Sequence, residues 1–153
     1  MNIRQIREED AADIYRIERE SFPDPWSIDG IAAECANALG IALCAEENGC
    51  IVGYIFGEYD GGSGYISHIA VDGTHRRKGY AASLLAAFEQ RAPSGGITLE
   101  VRRSNTAAAA FYRKAGFEEI GTRRNFYSVP EREDAAVMMK QRAAGLLTDP
   151  VQE

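Results

Sequence analysis

The residues best placed for chemistry lie between Ile69 and Ala82. The run Ile69-Ala-Val-Asp-Gly-Thr-His-Arg-Arg-Lys-Gly-Tyr-Ala-Ala82 passes from an apolar segment through a basic loop into a helical pattern. The first turn of a helix leaves backbone N–H groups without intrahelical acceptors, and the helix dipole places partial positive charge there, so a phosphate is favoured at that end. Arg76, Arg77 and Lys78 add full charges immediately before it, and Gly79, with no Cβ, lets phosphates approach the backbone. Ala81, Leu84, Leu85 and Phe88 recur at helical spacing, which gives the helix one apolar face.

Two phosphate loops are excluded. No Gly-Lys-Ser/Thr ending is present, and no Gly-x-Gly-x-x-Gly follows the first strand. Arg76-Arg77-Lys78-Gly79-Tyr80-Ala81 instead fits Arg/Gln-x-x-Gly-x-Gly/Ala, and here the chain resembles the GNAT N-acetyltransferases. The resemblance implies acetyl-CoA as co-substrate, with no metal. Its pyrophosphate would be held by Arg76, Arg77, Lys78, Gly79, Tyr80, Ala81 and Ala82. Its pantetheine arm would pair with the backbone of Ile69, Ala70 and Val71, and an N–H near Val71 would polarise the thioester carbonyl.

Acetyl transfer to an amine needs a neutral amine, an oriented carbonyl and a proton for the departing thiolate. Leu99-Glu100-Val101-Arg102 followed by Ser104-Asn105 resembles the ribosomal-protein-alanine N-acetyltransferases, the RimI type, which makes Glu100 the candidate base. A carboxylate of pKa about 4.3 matches an α-amino group near 8 better than a lysine near 10.4, which favours an N-terminal acceptor. The structural alternative for Glu100 is a strand residue paired with Arg102. Tyr112, in Phe111-Tyr112-Arg113-Lys114-Ala115-Gly116-Phe117, resembles the family's Tyr-x-x-x-Gly-Phe and is the candidate acid; the alternative is a core tyrosine. Asn105 would cap its helix and, by resemblance, bond the cofactor arm.

His68 is expected to be a satisfied strand histidine, with a base as the runner-up reading; His75 is expected to face solvent. Phe22-Pro23-Asp24-Pro25-Trp26-Ser27, Arg123-Arg124-Asn125-Phe126-Tyr127 and Arg132-Glu133-Asp134-Ala135 also resemble the RimI type near its acceptor groove. Gly73, where the family often has Pro, and Ala81 in place of Gly are departures that remove no catalytic group.

These residues require a scaffold, and the pattern supplies one. Strands are predicted at the N-terminus and over 41–47, 50–59, 65–71, 97–102, 117–125 and 135–140. Glu47-Asn48-Gly49 is a hairpin turn, and Pro23 and Pro25 end a first helix that begins among Glu8, Glu9 and Asp10. Ser27 and Asn105 are N-cap residues, and Gly116 is a helix stop. The order suits an α/β (α+β) chain with a mixed, mainly antiparallel sheet. The resemblance implies the GNAT fold, with a splay between the fourth and fifth strands and helices on both faces.

One domain over 1–141 with a flexible tail over 142–153 is expected. No apolar run reaches the ~20 residues of a membrane span, and no signal peptide is apparent, so a cytoplasmic protein is expected. Cys35, Cys44 and Cys50 show neither disulfide nor zinc spacing. The net charge of −6 argues against nucleic-acid binding, yet residues 76–124 hold ten Lys/Arg against four Asp/Glu, a basic island around the anion loop. The expected partner is a protein or peptide N-terminus, foremost the alanine of a small-subunit ribosomal protein, met by a monomer or weak dimer. Acetylation of a lysine, polyamine or other small amine, and a non-catalytic acyl-CoA sensor, are the alternatives.

Overall fold

A computed structural model describes residues 1–143 of the chain. In order, the elements are β1 (Asn2–Gln5), α1 (Ala11–Ser21), α2 (Ile28–Cys35), β2 (Gly40–Glu47), β3 (Cys50–Tyr59), β4 (Gly64–Val71), α3 (Tyr80–Arg91), β5 (Ile97–Arg102), α4 (Thr106–Lys114), β6 (Glu118–Tyr127) and β7 (Glu133–Lys140). The strands form one mixed sheet in the order β1-β2-β3-β4-β5-β7-β6. The described chain divides into two compact units, Met1–Tyr59 with Ile66–Arg91, and Asp60–Tyr65 with the described residues from Ala92 onward.

In the first unit β1, β2 and β3 are antiparallel neighbours. Asn48 and Gly49 turn the β2–β3 hairpin at φ 54° and 81°, the left-handed pair that a primed turn requires. The chain enters α1 through a 3-10 turn, Glu8–Asp10, where the Asp10 carboxylate accepts from Arg7 N at 2.7 Å and from Arg4 Nη1 at 2.8 Å. It leaves α1 at Phe22, whose backbone is extended as the following proline demands. Ser27 caps α2, its Oγ accepting from Gly30 N at 3.0 Å.

Alternation along β3 gives each face its own helices. Tyr54 and Phe56 join Ile14 and Ile17 of α1 and Ile31 of α2 in one apolar cluster. Each such side chain withdrawn from water stabilises by about 1.5–3 kcal/mol. On the other face Gly53 admits α3: a Cβ there would stand 3.3 Å from Leu84 Cδ1 and from Val71 Cγ2. The buried stripe of α3 is Tyr80, Leu84, Leu85 and Phe88. It starts at Tyr80 rather than Ala81, because the helix begins one residue earlier than the spacing predicts.

In the second unit the start of β4 pairs in parallel with β5, Gly64 with Ile97 and Tyr65 with Thr98. β5 is antiparallel to β7, and β7 to β6. Ile97, Leu99 and Val101 are buried while Thr98, Glu100 and Arg102 take the opposite face, the alternation read from sequence. Gly95, at φ 80°, meets the chain so closely that a Cβ would lie 1.7 Å from Gly62 O. β6 and β7 extend two residues beyond the predicted ends, to Tyr127 and back to Glu133. Of the tail predicted over 142–153, Arg142 and Ala143 are described. Arg142 Nε donates to Gly95 O at 2.9 Å, and Ala143 O accepts from Gly95 N at 2.9 Å. Residues 144–153 lie outside the described part.

Candidate active site

The anion loop belongs to the first unit. Asp72 turns the chain out of β4, its Oδ1 accepting from Thr74 N at 3.0 Å and Thr74 Oγ1 at 3.1 Å, while Arg16 Nη1 reaches Oδ2 at 3.3 Å. The Thr74 N–H above all holds the Asp72 carboxyl below the usual carboxylate range. Arg76 Nε donates to Val71 O at 3.1 Å and so braces the loop against the strand it leaves. Arg77 at φ 65° and Gly79 at φ 85° are both left-handed, and alternating handedness turns successive N–H groups toward one concavity.

No atom lies within 4 Å of where a Gly79 Cβ would be, so the backbone angle rather than lack of room calls for glycine. Ser83 N bonds Gly79 O at 3.0 Å as α3 begins, so the N–H groups of Tyr80, Ala81 and Ala82 precede the helical ladder. Arg76, Arg77 and Lys78 are exposed. The donor set therefore fits a diphosphate. The side chain of Tyr80 is 5% exposed, so only its backbone is available to a ligand, and His75 stands edge-on to it with ring centroids 5.9 Å apart. His75 is half-buried rather than fully turned to solvent, and its Nδ1 lies 3.0 Å from Thr74 Oγ1.

Glu100 belongs to the second unit, where its side chain is 7% exposed. Tyr65 donates its hydroxyl hydrogen to Oε1, and Arg123 Nε lies 3.0 Å from Oε2. Arg102, the partner that sequence suggested, instead meets Glu133 at 3.4 Å and stacks 4.1 Å over the Tyr127 ring. The register explains the exchange. Tyr65 faces Thr98, and Glu100 is two residues further on the same face of β5. Burial first, then the bond to Glu100, push the Tyr65 phenol up, so it stays a donor at neutral pH.

Tyr112 lies on α4 with its ring edge-on to Phe111 and Phe117, centroids 5.2 and 5.5 Å away. Burial pushes its phenol up as well, and Tyr127 adds to the shift in both Tyr65 and Tyr112. Asn105 caps α4, its Oδ1 accepting from Ala108 N at 3.1 Å.

Sequence reasoning did not assemble a third cluster, in the first unit. Glu18 of α1 is fully buried, accepting from Tyr54 Oη at 2.5 Å and from Trp26 N at 2.9 Å. His68 Nδ1 stands 2.9 Å from Glu18 Oε2. The imidazole is stacked between Trp26, at 3.9 Å and 12°, and Phe22, at 4.4 Å and 25°. Burial alone would raise the Glu18 pKa, but bonds from His68, Tyr54 and the Trp26 N–H hold it below its ordinary value. A signal existed: Glu18 follows Ile14 by one helical turn and occupies the apolar stripe of α1.

Among the described residues no helix is long and apolar enough to cross a membrane, and no group of three or more His, Cys, Asp or Glu is placed to hold a metal ion.

The anion cradle joins the end of a strand to the start of a helix within a seven-stranded mixed sheet. The model of the acetyltransferase (GNAT) family matches residues 11–117, and the chain belongs to that family of N-acetyltransferases. It is 33% identical over 146 residues to an uncharacterized N-acetyltransferase of Methanocaldococcus jannaschii, covering 93% of this chain and 92% of that one. It is 32% identical over 141 residues to the [ribosomal protein bS18]-alanine N-acetyltransferase of Haemophilus ducreyi, covering 89% and 97%. The crystal structure of the ribosomal-protein-S18-alanine N-acetyltransferase from Escherichia coli superposes with a TM-score of 0.86 at 28% identity over 94% of this chain and 95% of that one.

Proposed function

We propose that the protein transfers the acetyl group of acetyl-CoA to the α-amine of a protein N-terminus, foremost the N-terminal alanine of a small-subunit ribosomal protein, in the cytoplasm. The observation that carries this reading is the similarity to alanine N-acetyltransferases along nearly the whole of both chains. It is supported by a cradle chemistry suited to a diphosphate and by a buried Glu100 with two bonded partners.

In this reading Arg76, Arg77, Lys78 and Gly79, with the N–H groups of Tyr80, Ala81 and Ala82, hold the pyrophosphate. The backbone of Ile69, Ala70 and Val71 and the amide of Asn105 hold the arm. Glu100 accepts a proton from the attacking nitrogen as the tetrahedral intermediate collapses. Tyr112, kept protonated by its burial, gives one to the departing thiolate. The amine attacks the thioester carbon directly, with no acyl-enzyme.

The test is mass spectrometry of a mixture of synthetic peptides incubated with enzyme and acetyl-CoA. Acetylation is expected at the α-amine of peptides that start with alanine. Modification of lysine side chains or polyamines alone would assign another acceptor, and stabilisation by CoA without any turnover would make the protein a sensor.

A further inference from the structure

The ammonium of an acceptor must lose two protons during acetyl transfer, one before it can attack and one as the intermediate collapses. The second is assigned to Glu100 above. A lone carboxylate is a weak base for the first. We propose that His68, oriented by Glu18, takes that first proton. This rests on the acetyl-transfer reading and deepens it.

Four observations carry the proposal. His68 immediately precedes the Ile69–Val71 segment assigned to the pantetheine arm, so it lies on the same strand that would hold that arm. Its Nδ1 faces a buried carboxylate 2.9 Å away, which fixes Nδ1 as the protonated nitrogen of the neutral ring and leaves the lone pair on Nε2. The ring is held between two near-parallel aromatic faces, which set its plane and accept a positive charge between them. The His68 side chain is 18% exposed and that of Glu18 0%, so a proton reaches this pair only through the imidazole.

The groups that face the pair are Glu18 from α1, Tyr54 from β3 and the Trp26 N–H from the loop between α1 and α2. Burial keeps the Tyr54 phenol protonated, so it donates to Glu18 and takes no part in the exchange. In the step an ammonium N–H bond breaks and an Nε2–H bond forms. The imidazolium is balanced by the Glu18 carboxylate, and the freed nitrogen lone pair attacks the thioester carbon. The proton then passes from Nε2 to solvent, which accounts for the one proton the overall reaction releases.

The experiment measures kcat and KM on an alanine-starting peptide with acetyl-CoA from pH 6 to 9, for the native chain, His68→Gln and Glu18→Gln. The His68→Gln variant is expected to lose roughly 100-fold in kcat at pH 7 with an unchanged KM for acetyl-CoA, and to regain rate steeply as the peptide amine deprotonates. Glu18→Gln, which changes only the orienting group, is expected to lose roughly 10-fold and to shift the native profile. A His68→Gln profile that matches the native one overturns the proposal. A native chain inactive on every amine would instead end the acetyl-transfer reading, and this step with it. Nitrogen-detected NMR of the native chain gives an answer independent of variant folding. With two histidines in the sequence, His68 is expected as the Nδ1–H tautomer with Nε2 perturbed when CoA and peptide are added. The opposite tautomer overturns the proposal.

Discussion

Tyr65, the second residue of β4, donates its hydroxyl hydrogen to Glu100, which lies two residues beyond Thr98, the register partner of Tyr65 on β5. A strand pairing of two residues thus sets the orientation of a carboxylate that Arg123 holds from its other oxygen. Glu100→Gln is expected to lower kcat by roughly 100-fold or more, the range of a general base. Tyr65→Phe, which frees one oxygen and leaves the other bonded, is expected to cost roughly 10-fold, with the KM for acetyl-CoA unchanged in both. Steady-state kinetics on an alanine peptide decide the matter. A native rate in Glu100→Gln would remove this residue from the chemistry.

Tyr112 tests whether burial serves packing or proton donation. Its ring is fixed between Phe111 and Phe117, and Tyr112→Phe keeps that packing while it removes the hydroxyl. The unfolding midpoint should therefore stay close to native, and kcat should fall by roughly 100-fold. Thermal unfolding beside single-turnover kinetics separates the two roles. A large drop in midpoint with native kcat would make Tyr112 a core residue alone.

The anion loop gives the next outcome. Ala at position 79 meets no atom, but φ 85° strains any L residue by about 1–2 kcal/mol. Gly79→Ala is expected to relax the loop, raise the KM for acetyl-CoA and leave kcat at saturation near native, the pattern of lost uniform binding. Calorimetric titration with CoA should show the same loss, and binding to the native loop should weaken with salt because its cations are exposed. Unchanged CoA affinity in Gly79→Ala would place the nucleotide elsewhere.

What the sequence disclosed, and what it withheld, follows from distance along the chain. Turns and caps are local chemistry: Asn48-Gly49, Ser27, Asn105 and Pro23 act within four residues and sit where they were predicted. The alternation of β5 placed Glu100 opposite Leu99 and Val101 for the same reason. Glu100 and Tyr65 are 35 residues apart, and Glu18 and His68 are 50 apart, so only the strand register and helix packing bring them together. Arg102 drew attention as a neighbour of Glu100, yet it pairs with Glu133, which β7 brings alongside. Tyr80 looked like part of a basic loop, and its aromatic side chain instead opens the buried stripe of α3.

Acid should unfold this protein through particular carboxylates. The Asp10 pKa lies below its ordinary value, first through its bond to Arg4, and the Glu18 pKa lies below its own through His68, Tyr54 and Trp26 once burial is overcome. A carboxyl with a depressed folded pKa contributes stability that is complete above its unfolded pKa and is lost as pH falls through the folded one. The unfolding free energy is therefore expected to decline as pH drops below about 4, where unfolded Asp and Glu take up protons first. Glu18→Gln removes one such group, so its curve should start lower at pH 7 and fall less steeply below pH 4. Glu18→Ala, which strands the Tyr54 hydroxyl, the Trp26 N–H and His68 Nδ1 without an acceptor, should cost about 3–5 kcal/mol at pH 7. Denaturant unfolding at pH 7, 5, 4 and 3 checks all three, and an acid slope in Glu18→Gln as steep as native would show that Glu18 does not carry it.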